Sequence, residues 1–170
     1  AVLTSLPEYT RKCTMLDALC HALESFWSRN AGTESKAFSR AALQLLLENV
    51  DAYLENKAAG NAAMQRAAYL AGQAIDRAQT TAGHAMAYGL TTRYGLAHGQ
   101  AAALCVSKLW PYMVEHVALC TLPGGASYLE GVFQEIAKAM GCSTVQAAIR
   151  RYDSLLERLQ LPLPKACEAD

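Results

Sequence analysis

Few residues in this chain punctuate a β-rich fold. It holds 5 Pro and 11 Gly in 170 residues, and no apolar/polar alternation bounded by hairpin turns is found along it. That excludes a sandwich or barrel, and the abundance of Ala and Leu turns the reading to an all-α bundle. Charge of one sign is missing as well, because 15 basic residues meet 15 acidic ones without a long like-charged block. Such a surface does not neutralise nucleic-acid phosphates or anionic lipid, so neither nucleic acid nor a membrane is an expected partner. No apolar run reaches the roughly 18 residues of a membrane span, and the opening AVLTSLPEYTRK lacks the basic start and apolar centre of a secretion signal. A cytoplasmic location is expected. The six cysteines form no CxxC pair and several fall at apolar helical positions, which suits reduced core thiols. Also lacking is a Gly-rich strand-to-helix turn able to cradle a pyrophosphate, since Pro123-Gly124-Gly125 has neither the spacing nor a preceding strand. No cofactor-binding residue for a dinucleotide is therefore assigned within this chain. The chain opens on Ala rather than Met and is expected to be cut from a longer one.

With 52% hydrophobic residues, residues 1–170 suffice for one domain with a sizeable core. Apolar periodicity divides it into about seven helices. The first is expected from near Thr14, with Thr14 as a cap and Asp17 three residues on, to about Asn30. The second covers Thr33 to Asn56, and a third, rich in small residues, follows Gly60. A fourth carries HAMAYGLTTRY, broken at Gly89 or stopped at Gly95, and a fifth begins at His98 and is kinked by Pro111. After the turn TLPGG, two more helices span Tyr128 to Met140 and Thr144 to Gln160, and LPLPKACEAD is expected to end the chain as an extended strap or a loose tail.

Asp17 and His21 stand out on the first, largely apolar helix. Four residues apart, they share one face with Cβ atoms roughly 5 to 6 Å apart, which suits either a local carboxylate–imidazole hydrogen bond or two ligands for one ion. His84 and His98 lie near Gly residues and predicted helix ends, where a side chain reaches across a cleft. His116, near a helix C-terminus, reads as a surface residue facing the helix dipole. One Asp and three His suit a divalent transition ion, Fe²⁺ or Zn²⁺. Glu24, two turns after Asp17, reads as a salt-bridge or capping residue. Phe26, Trp27, Tyr94 and Trp110 read as packing aromatics.

PEYTRKCTMLDALCHALES followed by GHAMAYGLTTRYGLAHGQA resembles the two signature segments of the iron-containing (group III) alcohol dehydrogenases. The resemblance implies that Asp17, His21, His84 and His98 are the metal ligands, Fe²⁺ first and Zn²⁺ second. It implies the helical C-terminal domain of a dehydroquinate synthase-like architecture, with an NAD(P)-binding N-terminal domain lying outside this chain. It implies an oxidoreductase acting on a small alcohol or aldehyde, the metal polarising the substrate oxygen for hydride transfer, and it implies that the fragment alone is inactive. Tyr88 stands where many members carry a second histidine; its phenol can hydrogen-bond substrate or cofactor but, with an ordinary pKa of about 10, is a poorer proton shuttle. YGLTTRYGLAHG is closer to the branch that includes phosphonoacetaldehyde reductases, and Arg93 there suits either an anionic substrate group or an ion pair at the surface or between domains. A rival reading is a helical scaffold that keeps the fold without a functional metal.

Overall fold

The computed structural model describes residues 2–163. Among them are seven α-helices and two short 3-10 turns, Val2–Ser5 and Val117–Leu119, with no strand. The helices are α1 (Glu8–Trp27), α2 (Thr33–Leu54), α3 (Ala58–Ala78), α4 (Ala82–Tyr94), α5 (His98–Glu115), α6 (Gly125–Ala139) and α7 (Val145–Leu159). None is long and apolar enough to cross a membrane.

Helix α1 starts almost two turns before the expected Thr14. Pro7 sets the entry with φ −55°, its missing N–H costing nothing at a helix start. Thr14 is mid-helix and its hydroxyl donates back to the Arg11 carbonyl, so it caps nothing. Helix α2 ends two residues short of expectation, because Asn56 turns into the left-handed region at φ 55°. Helix α3 begins before Gly60, which sits inside its first turn; a Cβ there would strike the backbone of Ala52 and Tyr53, so the glycine is the crossing point of α2 and α3. Helix α4 runs through Gly89 and stops at Gly95, whose φ of 65° makes the left-handed cap. Helix α5 continues through Pro111. Helix α6 starts at Gly125, three residues before the expected Tyr128, and α7 is capped by Thr144, whose hydroxyl accepts from the Ala147 N–H.

Helix α1 is the centre of the bundle and packs against α2, α3, α5 and α6. Met15, Leu16, Leu19, Cys20, Leu23 and Phe26 are all fully enclosed on it. On α3, Ala67, Ala71, Ala74 and Ala78 bury a small-residue stripe that permits close helix approach. Trp27, Trp110, Phe133 and Tyr152 form an aromatic chain with centroids 5.9 to 6.3 Å apart. Phe26, Trp27 and Trp110 are thus core residues, as expected, whereas Tyr94 lies at the surface. Cys13, Cys20, Cys105, Cys120 and Cys142 are all unpaired thiols. The tail from Pro164, with Cys167, lies outside the described residues; before it, Gln100 Nε2 donates to the Pro162 carbonyl.

Arg11 holds the N-terminal edge together. Its buried guanidinium donates to the carbonyls of Tyr53 and Leu3 and to Asn61 Oδ1 and Asn56 Oδ1, and lies 4.6 Å from the Tyr53 ring centroid. One planar fork thereby joins α1, the end of α2, the start of α3 and the first turn. Arg11→Ala strands several buried acceptors at once, so urea unfolding should show a loss of about 3 kcal/mol or more; a loss under about 1 kcal/mol would mean that the joint is dispensable.

Candidate metal centre

Three helices aim polar side chains at one point. Helix α1 contributes Asp17 from its middle, α4 contributes His84 from its first turn, and α5 contributes His98 from its first residue, with His21 of α1 alongside. The glycine preceding His84 and the one following His98 make this approach possible. A Cβ on Gly83 would stand 2.8 Å from Val106 Cγ2 and would collide with Glu24 Oε1. A Cβ on Gly99 would lie 2.8 Å from Asp17 Cβ and 2.9 Å from its backbone nitrogen, and would also run into the Cys13 carbonyl. Both helix N-termini therefore press directly onto α1.

Asp17, His84 and His98 each place one donor atom within 4.8 Å of the others. Asp17 Oδ1 and His84 Nε2 face each other at 3.6 Å, too far for a hydrogen bond, and both are buried with no hydrogen-bond partner. Two donors each about 2.0–2.2 Å from one ion stand at comparable separation, so the orphaned pair fits a shared cation. His21 stands beside this trio. Its ring stacks on His84 with centroids 4.6 Å apart and planes 16° apart, and its Nε2 lies 3.9 Å from Asp17 Oδ2. At that length the local Asp17–His21 hydrogen bond is not formed.

Behind His84 lies Glu24, which is 0% exposed. Its Oε1 is 2.7 Å from His84 Nδ1, and its Oε2 accepts from both the backbone N–H and the hydroxyl of Thr81 at 2.5 Å. The salt-bridge role expected of Glu24 is thus realised with a histidine. Thr81, Gly83 and Gly99 were not singled out by sequence reasoning. Their signal was position alone: each adjoins or nearly adjoins one of the two signature histidines.

Electrostatics set the protonation of the metal-free cluster. Burial alone would push the His84 imidazole down, but the Asp17 and Glu24 carboxylates on either side lift it to about 9. Burial works against the Asp17 carboxylate too, yet the surrounding imidazoles hold it below the usual range. Burial likewise opposes Glu24 and is outweighed by its hydrogen bonds from His84 and Thr81. At His21 burial wins and depresses the pKa, despite Asp17, which favours the neutral ring that metals bind.

Tyr88 and Arg93 lie on the outer side of α4. Tyr88 is 65% exposed with its ring 5.1 Å from that of His98. Arg93 is exposed in the last turn of α4 and makes no ion pair among the described residues. His116 caps the far end of α5, where it stacks on Tyr112 at 4.2 Å, away from the cluster as expected.

Carboxylate and imidazole donors from three helices thus meet in one all-helical domain. Residues 12–164 match the Fe-containing alcohol dehydrogenase family, C-terminal domain, and the chain belongs to that family. It is 36% identical over 141 residues to phosphonoacetaldehyde reductase of Streptomyces viridochromogenes, covering 80% of this chain and 35% of that protein. It is 31% identical over 140 residues to long-chain-alcohol dehydrogenase 1 of Geobacillus thermodenitrificans, covering 75% of this chain and 34% of that one. Among solved structures it resembles sulfoacetaldehyde reductase of Bifidobacterium kashiwanohense in complex with NAD+, with a TM-score of 0.79 at 25% identity over 94% of this chain and 40% of that one. The chain spans about a third of the length of the curated relatives it matches.

Since His84 is raised to about 9 from an ordinary 6.5, its contribution to folding is fully present below about pH 6.5 and is lost as pH rises through 9. With chelator present, urea unfolding should show stability falling by on the order of 1–3 kcal/mol over that window. His84→Gln should remove that slope; an unchanged slope in the variant would assign it to other groups.

Proposed function

We propose that this chain is the metal-binding domain of an NAD(P)-dependent alcohol dehydrogenase or aldehyde reductase, and that Asp17, His84 and His98, with His21 as fourth ligand, hold a divalent ion. The observation that carries this reading is the facing pair of buried, unpartnered atoms, Asp17 Oδ1 and His84 Nε2, 3.6 Å apart with His98 beside them. Leaving both orphaned costs free energy that one shared cation removes. Fe²⁺ is the first choice from family membership, and the same donor set also suits Zn²⁺. Bound there, the ion supplies Lewis acidity to a substrate oxygen.

The chain's own residues do the rest. Asp17 offsets the ion's charge with one carboxylate against neutral imidazoles, and His98 and Tyr88 border the open side where a small alcohol or aldehyde enters. Tyr88 donates or accepts a hydrogen bond toward substrate or nicotinamide rather than relaying protons quickly. Arg93, exposed and without an ion pair among the described residues, is the group for an anionic substrate tail, a choice supported by relatives named for phosphonoacetaldehyde and sulfoacetaldehyde. The dinucleotide is held by a domain outside this chain, which the one-third coverage of the relatives supports. The unpaired thiols support a reducing, cytoplasmic setting.

Titrating the chelator-treated chain with Zn²⁺ or Fe²⁺ should show one ion per chain, with His98→Ala weakening uptake by more than about tenfold. Aldehyde-dependent oxidation of NAD(P)H should appear only when this domain is joined to its nucleotide-binding partner. Absence of uptake, or uptake indifferent to His98, would favour a scaffold.

A further inference from the structure

We infer that Glu24 is the positioning residue of this centre: its carboxylate keeps a proton on His84 Nδ1, so that Nε2, the nitrogen facing Asp17, is the one that gives up its proton and turns its lone pair to an ion. The inference rests on the metal-centre reading above and adds the device that makes His84 a ligand.

The hydrogen positions follow from the partners. Trp27 Nε1 can only donate, and it donates to Thr81 Oγ1 at 3.0 Å. The hydroxyl hydrogen of Thr81 is then directed at Glu24 Oε2, 2.5 Å away, and the Thr81 backbone N–H reaches the same oxygen at 2.5 Å. Two donors on one oxygen, with the His84 imidazole against the other, favour the ionised carboxylate, which only accepts. Its other oxygen, 2.7 Å from His84 Nδ1, therefore accepts, and Nδ1 carries the hydrogen. Every step of the chain from Trp27 through Thr81 and Glu24 to His84 has one direction.

Burial supports a functional purpose. Glu24 is fully enclosed in the apolar core of α1 and pairs with no lysine or arginine among the described residues; its one charge partner is His84. A carboxylate in that position is costly on its own. Gly83 is the concession that admits it, since any side chain there would occupy the space of Glu24 Oε1. A carboxylate behind the non-ligating nitrogen of a ligand histidine fixes the ring's tautomer and orientation and raises its basicity.

Glu24→Gln tests this with a side chain of the same shape. Because the Thr81 N–H can only donate, the amide oxygen is drawn to it and the NH₂ is left facing His84 Nδ1. The neutral imidazole then carries its hydrogen on Nε2, the atom that must bind the ion. Zn²⁺ titration of the full 170-residue chain should show affinity falling 10- to 100-fold in this variant. Two-bond ¹H–¹⁵N spectra of histidine-labelled protein should show His84 Nδ1 protonated in the unaltered chain, with and without Zn²⁺, and bare in the metal-free variant. Equal Zn²⁺ affinity in variant and unaltered chain would overturn the role of Glu24 while leaving the metal centre intact. Absence of Zn²⁺ uptake by the unaltered chain would overturn the metal-centre reading itself. Should the variant fail to fold, the unaltered chain still decides, because a bare Nδ1 on its His84 contradicts the inference.

Discussion

His84 stands between two carboxylates of one helix, with Asp17 3.6 Å from its Nε2 and Glu24 2.7 Å from its Nδ1, and the packing of the site follows from that placement. Asp17 and Glu24 lie seven residues apart, two turns along α1, so a single imidazole bridges the gap only if α4 delivers it with its backbone pressed against that helix. Gly83 permits the approach, and Gly99 does the same for α5 and His98. The two helix N-termini are thereby fixed in relation to one stripe of α1. That stripe is rigid because Leu16, Leu19, Leu23 and Phe26 lock the rest of α1 into the core.

This arrangement explains why a mostly apolar helix tolerates two acids. Each is compensated within a few ångströms, Glu24 by three hydrogen bonds and Asp17 by the ring of imidazoles around it. The compensation is complete behind His84 and incomplete in front of it. The unpartnered Asp17 Oδ1 and His84 Nε2 lie on the incomplete side, which is where the proposed ion is placed. Structural saturation on one side and a deficit on the other is the arrangement expected of a metal ligand with a supporting carboxylate.

Much of this was legible in the sequence. Helical class and the number of helices followed from apolar periodicity, whereas the set Asp17, His21, His84 and His98 came from the resemblance of two segments to a known family, and the fold brings the donor atoms of Asp17, His84 and His98 together. Helix ends were less legible. Thr14 reads as a cap by residue type, but Pro7 and the buried Arg11 extend α1 before it, and Arg11 earns its place only through acceptors on α2 and α3 that no local pattern reveals. Gly60 reads as punctuation, yet it serves the crossing of two helices. The bond from Glu24 to Thr81 spans 57 residues, and only the folded chain brings those partners together. His21 sits with its ring stacked on His84, a relation that shared-face reasoning does not distinguish from direct convergence.

One divalent ion is proposed to occupy the space between Asp17 and the histidines of α4 and α5. Anomalous diffraction from a Zn²⁺-loaded crystal tests it most directly. One anomalous peak is expected about 2.0–2.2 Å from an Asp17 oxygen, His84 Nε2 and a His98 nitrogen. A crystal in which Zn²⁺ is bound elsewhere, with Asp17 closed onto His84 in a direct hydrogen bond, would contradict it.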